Sequence, residues 1–181
     1  MKPPRSLKSR ALQWLAQREQ SRVELRRKLL AYAVAADADA RASVAGAEAA
    51  APSFDAEAAE TLLDAETRVD ALLDWLEAHR FLSAERFAES RVHARAARFG
   101  NLRIRHELAR HEVALAPEVQ QQLADSELAR ARAVRARKFP APPATATESA
   151  RQARFLGARG FSSDVIRRVL REAVHTDDAG A

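Results

Sequence analysis

Apolar residues recur at three- and four-residue intervals along most of the chain, which predicts helices rather than strands. A capping box at Ser21 and Glu24 marks one helix start, because the serine hydroxyl can accept a hydrogen bond from the Glu24 amide. Ser83 and Pro117 are similar start signals. The predicted helices cover about residues 6–18, 21–33, 61–82, 83–98, 102–112, 117–124, 126–138, 147–159 and 163–173.

The pattern also repeats along the chain. Residues 18–30 and 98–108 share a layout in which a helix ends, a short turn follows, and a new helix opens with Arg beside an apolar i, i+4 pair. A second repeat is visible in three other helices, where the apolar positions that start at Val69 align with those that start at Val119 and at Ile166. Helical hairpins of this size cannot bury an apolar face alone and must stack on one another. The sequence therefore predicts an all-α fold of nine helices in three tandem repeats, at residues 1–82, 83–125 and 126–174, with a tail at 175–181.

One segment departs from this pattern. Residues 33–60 are rich in Ala and scattered acids and nearly lack large apolar side chains, so they can contribute little to a core. We interpret them as an inert insertion in the first repeat, although Ala favours helix and parts of it could extend the neighbouring helices.

Composition narrows the class of protein. The 181 residues include no Cys, which excludes disulfides, a thiolate nucleophile and a cysteine metal site. We find no signal-peptide pattern and no long apolar run in the sequence, so we expect a cytoplasmic protein without a membrane span.

Charge is distributed unevenly. Residues 1–32 carry nine Lys/Arg against two Asp/Glu, residues 33–80 carry three against eleven, and residues 81–171 carry eighteen against nine. Two basic regions thus flank an acidic one. Clustered arginine suits an anionic partner, either nucleic acid or an acidic protein surface, although arginine-rich helix faces can also serve only for solubility.

Several motifs, in this order and spacing, resemble the RecX family of bacterial recombination regulators. They include Ser21-Arg22-x-Glu24-Leu25, Arg86-Phe87-Ala88, Arg103-Ile104-Arg105-x-Glu107-Leu108, Arg137-Lys138-Phe139 and Arg159-Gly160-Phe161-Ser162. The resemblance implies an elongated, curved protein of three three-helix repeats. It also implies a partner, the RecA recombinase and above all the RecA–DNA filament, whose ATPase, strand-exchange and co-protease activities it would lower in DNA repair and the SOS response. Some members of the family also bind DNA.

No catalytic, cofactor or metal site is predicted. His106 and His111, each followed by Glu, suggest the two-histidine zinc site of a metalloprotease. That site needs both rings on one helix face, whereas a spacing of five places them about 140° apart. Trp14 and Trp75 lie on apolar stripes and are expected in the core, as are four phenylalanines. These are Phe81, Phe87, Phe155 and Phe161.

Arginines beside the apolar stripes are the candidate partner-binding residues. If the repeats stack in similar orientation, these side chains form a recurring basic ridge on a non-enzymatic, monomeric protein. The alternatives are that they pair with Glu24, Glu107 or Glu172, or that the helical hairpins read a specific DNA sequence as helix-turn-helix units do. The predicted ridge consists of Arg22, Arg26, Arg27, Arg98, Arg103, Arg105, Arg159, Arg167 and Arg168.

Overall fold

The computed structural model describes residues 6–45 and 54–178. Within them the chain forms eight α-helices and no strand, which confirms the all-α prediction. None of these described helices is both long enough and apolar enough to cross a membrane. The helices are α1 (Leu7–Leu15), α2 (Arg22–Ala45), α3 (Phe54–Ala78), α4 (Ala84–Ala96), α5 (Asn101–Ala109), α6 (Pro117–Lys138), α7 (Ala146–Ala158) and α8 (Ser163–Asp178).

The chain divides into two compact units, Met1–Phe87 and Ala88–Ala181. In the first unit α1, α2 and α3 pack against one another. Ser21 caps α2, since its Oγ accepts the Glu24 amide at 3.1 Å, as the capping box predicts. Trp14 and Trp75 pack against the edge of the core. The buried apolar residues of this core are Ala11, Leu25, Leu29, Ala33, Ala65, Val69, Leu73, Leu76 and Leu82.

Phe81 corrects one expectation. Its side chain is 45% exposed and stacks on Trp75 with the ring centroids 5.6 Å apart, instead of entering the core. Arg80 adopts a left-handed conformation (φ 59°) at the end of α3, and the chain then turns so that Leu82 becomes the buried residue.

The predicted end of the second helix near Ala33 is also wrong, because α2 continues to Ala45 and α3 begins at Phe54. Much of the segment at 33–60 therefore extends the two helices, as the helix propensity of Ala favours. Residues 46–53 lie outside the described part of the chain.

A second correction concerns α6, which is continuous where the sequence predicts two helices with a break near Ser126. The Ser126 hydroxyl donates to the carbonyls of Gln122 at 2.8 Å and Leu123 at 3.3 Å, within the helix, instead of capping a new one. No Gly or Pro interrupts residues 118–138, so nothing ends the helix there. The predicted nine helices are therefore eight in the residues that the structure describes.

The second unit packs α6 against α5, α7 and α8. Ala131, Val134, Leu156, Phe161 and Val169 form one buried cluster of this unit, with Phe155 and Ile166 partly buried at its edge. Pro117 occupies the first turn of α6, as predicted. Thr145 caps α7 by accepting the Glu148 amide at 3.2 Å.

Glu24 predicts how the first unit responds to acid. Its carboxylate is largely buried and forms ion pairs with Arg18 and Lys28. The distance from Lys28 Nζ to the carboxylate is 3.1 Å. Although desolvation by burial acts to raise the pKa of Glu24, hydrogen bonds and charge from Arg18 and Lys28 outweigh it and lower the pKa to about 2. As the pH falls, Glu24 of the unfolded chain binds a proton at a higher pH than Glu24 of the folded protein does. Through this group the free energy of unfolding should therefore fall by about 3 kcal/mol between pH 5.5 and pH 2. Urea unfolding of Glu24→Gln and the unsubstituted protein across this range should show a shallower pH dependence for the variant, and parallel curves would contradict the assignment.

Candidate partner-binding surface

Two glycine turns meet in the second unit. Gly100 precedes α5 and Gly160 precedes α8, and they are joined by hydrogen bonds from the Gly100 amide to the Arg159 carbonyl (2.9 Å) and from the Leu102 amide to the Gly160 carbonyl (3.0 Å). A Cβ on Gly100 would lie 2.2 Å from the Gly160 oxygen, and one on Gly160 would lie 2.5 Å from Arg103 Cβ. Gly160 also has a φ of +79°, which L side chains rarely adopt. Glycine at both positions is therefore what lets the two turns come together.

A buried polar network on α6 holds these turns. One carboxylate oxygen of Glu127 accepts the Asn101 amide at 3.0 Å, and the other accepts the Ser162 hydroxyl at 3.2 Å, so one side chain ties both turns to α6. Arg130, one helical turn on, donates to the carbonyls of Ala96 (3.1 Å) and Phe99 (2.8 Å) at the end of α4. Burial lowers the pKa of the Arg130 guanidinium, and the charge of Glu127 partly opposes this. These contacts fix the position of the surface residues that flank the turns.

Three arginines lie around the joined turns, and we call them the arginine surface: Arg98, Arg103 and Arg159. The guanidinium carbon of Arg103 lies 4.6 Å from the centroid of the Phe99 ring and that of Arg98 lies 5.8 Å from it. Arg159 covers Phe155 at 3.8 Å. Arg103 Nη1 also donates to the Ala158 carbonyl at 3.2 Å, next to Arg159, which connects the two groups.

The surface continues along aromatic rings. Phe155 meets Phe139 edge-to-face with centroids 5.1 Å apart, and Arg151 lies 5.8 Å from the Phe139 ring. Arg137 donates to the Ala97 carbonyl at 3.2 Å, beside Arg98. Arginine and phenylalanine therefore alternate across one region of the second unit.

The charge of the arginine surface is not neutralised within the described part of the second unit, where none of its three members contacts a carboxylate. A guanidinium stacked on a ring still presents N–H groups at its edge, which can bind carboxylate or phosphate oxygens in pairs. The arrangement can thus bind an anionic partner.

The other predicted ridge residues have different surroundings. Arg22 pairs with Asp74 and Glu77, each at 2.7 Å. Arg26 pairs with Asp70 at 2.7 Å, and hydrogen bonding from Arg26 lowers the pKa of Asp70. These contacts join α2 to α3, so both arginines belong to a charge network within the first unit, as the pairing alternative anticipates, although with other acids.

The remaining four are exposed. Arg167 pairs with Asp164 and Arg168 with Glu172, the latter at 3.0 Å, each within α8. Arg105 lies on α5, where it lines a small pocket, and Arg27 is exposed on α2. Of the nine predicted residues, three thus come together at the joined turns.

The sequence patterns do not identify the residues that support the arginine surface. Phe99 and Phe155 stack with arginines, and Glu127 and Arg130 are buried or half-buried polar residues on a helix predicted to break beside them. The one available signal is that Phe99-Gly100 and Arg159-Gly160 are both turns that carry an arginine, in regions the sequence separates by sixty residues.

Comparison with known proteins adds a family relation. Residues 125–170 match the family model described as RecX, third three-helix domain. The chain is 44% identical over 172 residues to "Regulatory protein RecX" of Ralstonia nicotianae, covering 94% of this chain and 89% of that protein. It is 43% identical over 180 residues to the protein of the same name from Herbaspirillum seropedicae, covering 98% of this chain and 97% of that one.

Proposed function

The chain belongs to the RecX family, and from that premise we propose that it is a non-enzymatic cytoplasmic regulator that binds RecA and the RecA–DNA filament. In this proposal it lowers the ATPase, strand-exchange and co-protease activities of RecA, and so limits recombination and the SOS response. The relatives that it resembles are named regulatory proteins, which supports a regulatory rather than a catalytic role. We retain the three repeats at 1–82, 83–125 and 126–174 as part of the same proposal.

The observation that carries the proposal is the arginine surface. Arg98, Arg103 and Arg159 have no carboxylate partner in the described second unit and are held on a backbone that the Gly100–Gly160 contact fixes. A RecA–DNA filament presents both acidic protein side chains and phosphates, and guanidinium groups bind either in pairs of hydrogen bonds. Prior positioning matters because it reduces the side-chain entropy lost on binding.

The half-buried phenylalanines favour a contribution from DNA itself. Phe99 and Phe155 are partly exposed residues whose rings lie against the arginines, and aromatic side chains combined with basic ones are typical of surfaces that bind single strands without sequence preference. We therefore include direct contact with the DNA of the filament, without base-specific recognition, in the proposed mode of binding.

Fluorescence anisotropy with labelled single-stranded DNA tests the proposal. We expect the protein to bind DNA coated with RecA, in the presence of a non-hydrolysable ATP analogue, more tightly than naked single-stranded or duplex DNA. Affinity should not depend on DNA sequence. Tight binding to one duplex sequence, unaffected by RecA, would replace the proposal by the sequence-specific regulator.

A further inference from the structure

Three aromatic rings lie together at the end of α3. The Trp75 ring stacks with that of His79, with centroids 4.1 Å apart, and with that of Phe81, with centroids 5.6 Å apart. The rings are close to parallel, at interplanar angles of 24° and 17°. Lys8 Nζ lies 3.5 Å from the centroid of the Trp75 ring, so Trp75 is covered by its own neighbours, whereas Phe81 is 45% exposed. We call Trp75, His79 and Phe81 the ring cluster.

The turn that carries Phe81 is held by several hydrogen bonds. Arg80 has a φ of 59°, and the Phe81 amide donates to the Leu76 carbonyl at 2.9 Å, as at many helix ends. Arg86 Nη2 donates to the carbonyls of Arg80 (3.0 Å) and Phe81 (3.2 Å), and Arg86 Nε lies 2.7 Å from a carboxylate oxygen of Glu19. The Phe81 ring is therefore exposed on a fixed backbone, so little order has to be gained when a partner binds it.

Cations flank the ring cluster. Lys8 and Arg80 are both exposed, and neither contacts a carboxylate within residues 6–45 and 54–178. Glu77, near the end of α3, pairs with Arg22 at 2.7 Å instead. Glu85 is exposed in the first turn of α4, and the two cations outnumber it. The charge at this end of α3 thus favours an anionic partner.

One exposed ring between two cations is a small site. A specific protein interface buries about 800 Å² on each partner, which is far more than Phe81 and two long side chains supply. An unpaired base needs only one ring to stack on, and its flanking phosphates need only cations. Duplex DNA offers no such base, because its bases are already stacked and paired. The dimensions of the site therefore favour a single strand over a folded protein and over a duplex.

We propose that the ring cluster, with Lys8 and Arg80, binds single-stranded nucleic acid by stacking an unpaired base on Phe81 while the two cations contact the phosphates beside that base. The site belongs to the first unit, whereas the arginine surface of the proposed function belongs to the second. Binding is not specific for sequence, because every base has a flat face to stack. The site does not depend on RecA, so its test omits RecA and its failure leaves the proposed function standing.

Tryptophan fluorescence tests this site directly. The chain has 2 Trp residues, so Trp14→Phe leaves Trp75 as the sole tryptophan. Oligothymidylate of about 12 nucleotides should change the Trp75 emission in a saturable way at about 50 mM salt. An oligomer of the same length and charge that lacks bases, and a duplex of the same length, should leave the emission unchanged at concentrations about tenfold higher.

Variants of Phe81 identify the ring that receives the base. In the Trp14→Phe protein, Phe81→Ala should raise the dissociation constant measured from Trp75 by about tenfold, whereas Phe81→Tyr should keep it, because tyrosine retains the ring. Leu63→Ala is the matched control, since Leu63 is an apolar residue of the same unit that is 63% exposed, and it should leave the dissociation constant unchanged. Circular dichroism spectra of these variants should match, because Phe81 and Leu63 are both exposed.

Three results would overturn the proposal. Unchanged Trp75 emission at every oligomer concentration would remove the site, and a simultaneous rise in the anisotropy of a labelled oligomer would show that the arginine surface alone binds the strand. An equal response to the oligomer without bases, or an unchanged affinity in Phe81→Ala, would exclude base stacking. Normal oligomer binding by Phe81→Ala, with loss of binding to RecA–DNA filaments, would show that the ring cluster binds protein instead.

Discussion

Replacing Gly100 with alanine should lower the melting temperature of the second unit by more than about 10 °C, which corresponds to a loss of about 3 kcal/mol in a domain of this size. The added Cβ would lie 2.2 Å from the Gly160 oxygen and 2.3 Å from the Phe161 nitrogen. Both are backbone atoms and cannot rotate away, so the two turns must separate. Their hydrogen bonds and the contacts of Asn101 with Glu127 would weaken with them.

Gly157→Ala provides the matched control for this prediction. Gly157 lies within α7, and its added Cβ would meet only Ile166 Cδ1, at an ordinary 3.9 Å. Since alanine has a higher helix propensity than glycine, this variant should gain about 0.5–1 kcal/mol. Thermal unfolding followed by circular dichroism measures both. Equal melting temperatures for the two variants would show that the Gly100–Gly160 contact does not hold the second unit together.

Replacing Arg98, Arg103 and Arg159 together with glutamine should weaken binding to RecA–DNA filaments by about 100-fold, if each arginine contributes about 1 kcal/mol. These side chains lie at the surface on Phe99 and Phe155, so the fold should remain. If they contact phosphates, the slope of log affinity against log salt should also become less negative by about 2–3. Weaker binding with an unchanged slope would instead assign them to acidic residues of RecA.

A second triple variant controls for net charge. Arg132, Arg167 and Arg168 lie in the same unit and each pairs with a carboxylate, Glu172 or Asp164. Replacing them with glutamine removes the same three charges, yet should change filament affinity by less than about fivefold, since their charge is already compensated. Equal losses in the two variants would mean that overall charge, and not the arginine surface, determines binding.

Local signals along the chain predict much of the fold. Ser21 and Ser83 accept the amides of Glu24 and Arg86, and Pro117 opens α6, because capping depends on residues three or four positions apart. The α6 break is predicted wrongly for the same reason: the Ser126 hydroxyl has two local uses, and the sequence alone does not decide between capping a new helix and bonding back within the old one.

The candidate surface is predicted less well, because it depends on contacts between distant residues. The sequence identifies Gly100 and Gly160 as turns but not that one turn binds the other. Arg26 follows Leu25 as Arg105 follows Ile104, yet Arg26 meets Asp70 forty-four residues away, whereas Arg105 is exposed on α5. Which arginine is neutralised and which stays available is set by the packing of helices, and periodicity carries no information about it.

ATP hydrolysis by RecA on single-stranded DNA is the measurement that tests the central claim most directly. The protein, added at a small fraction of the RecA concentration, should suppress hydrolysis, and the Arg132, Arg167 and Arg168 variant should suppress it equally well. The Arg98, Arg103 and Arg159 variant should need a far higher concentration. Hydrolysis that continues unchanged with equimolar protein, shown by circular dichroism to be folded, would contradict regulation of RecA by this chain.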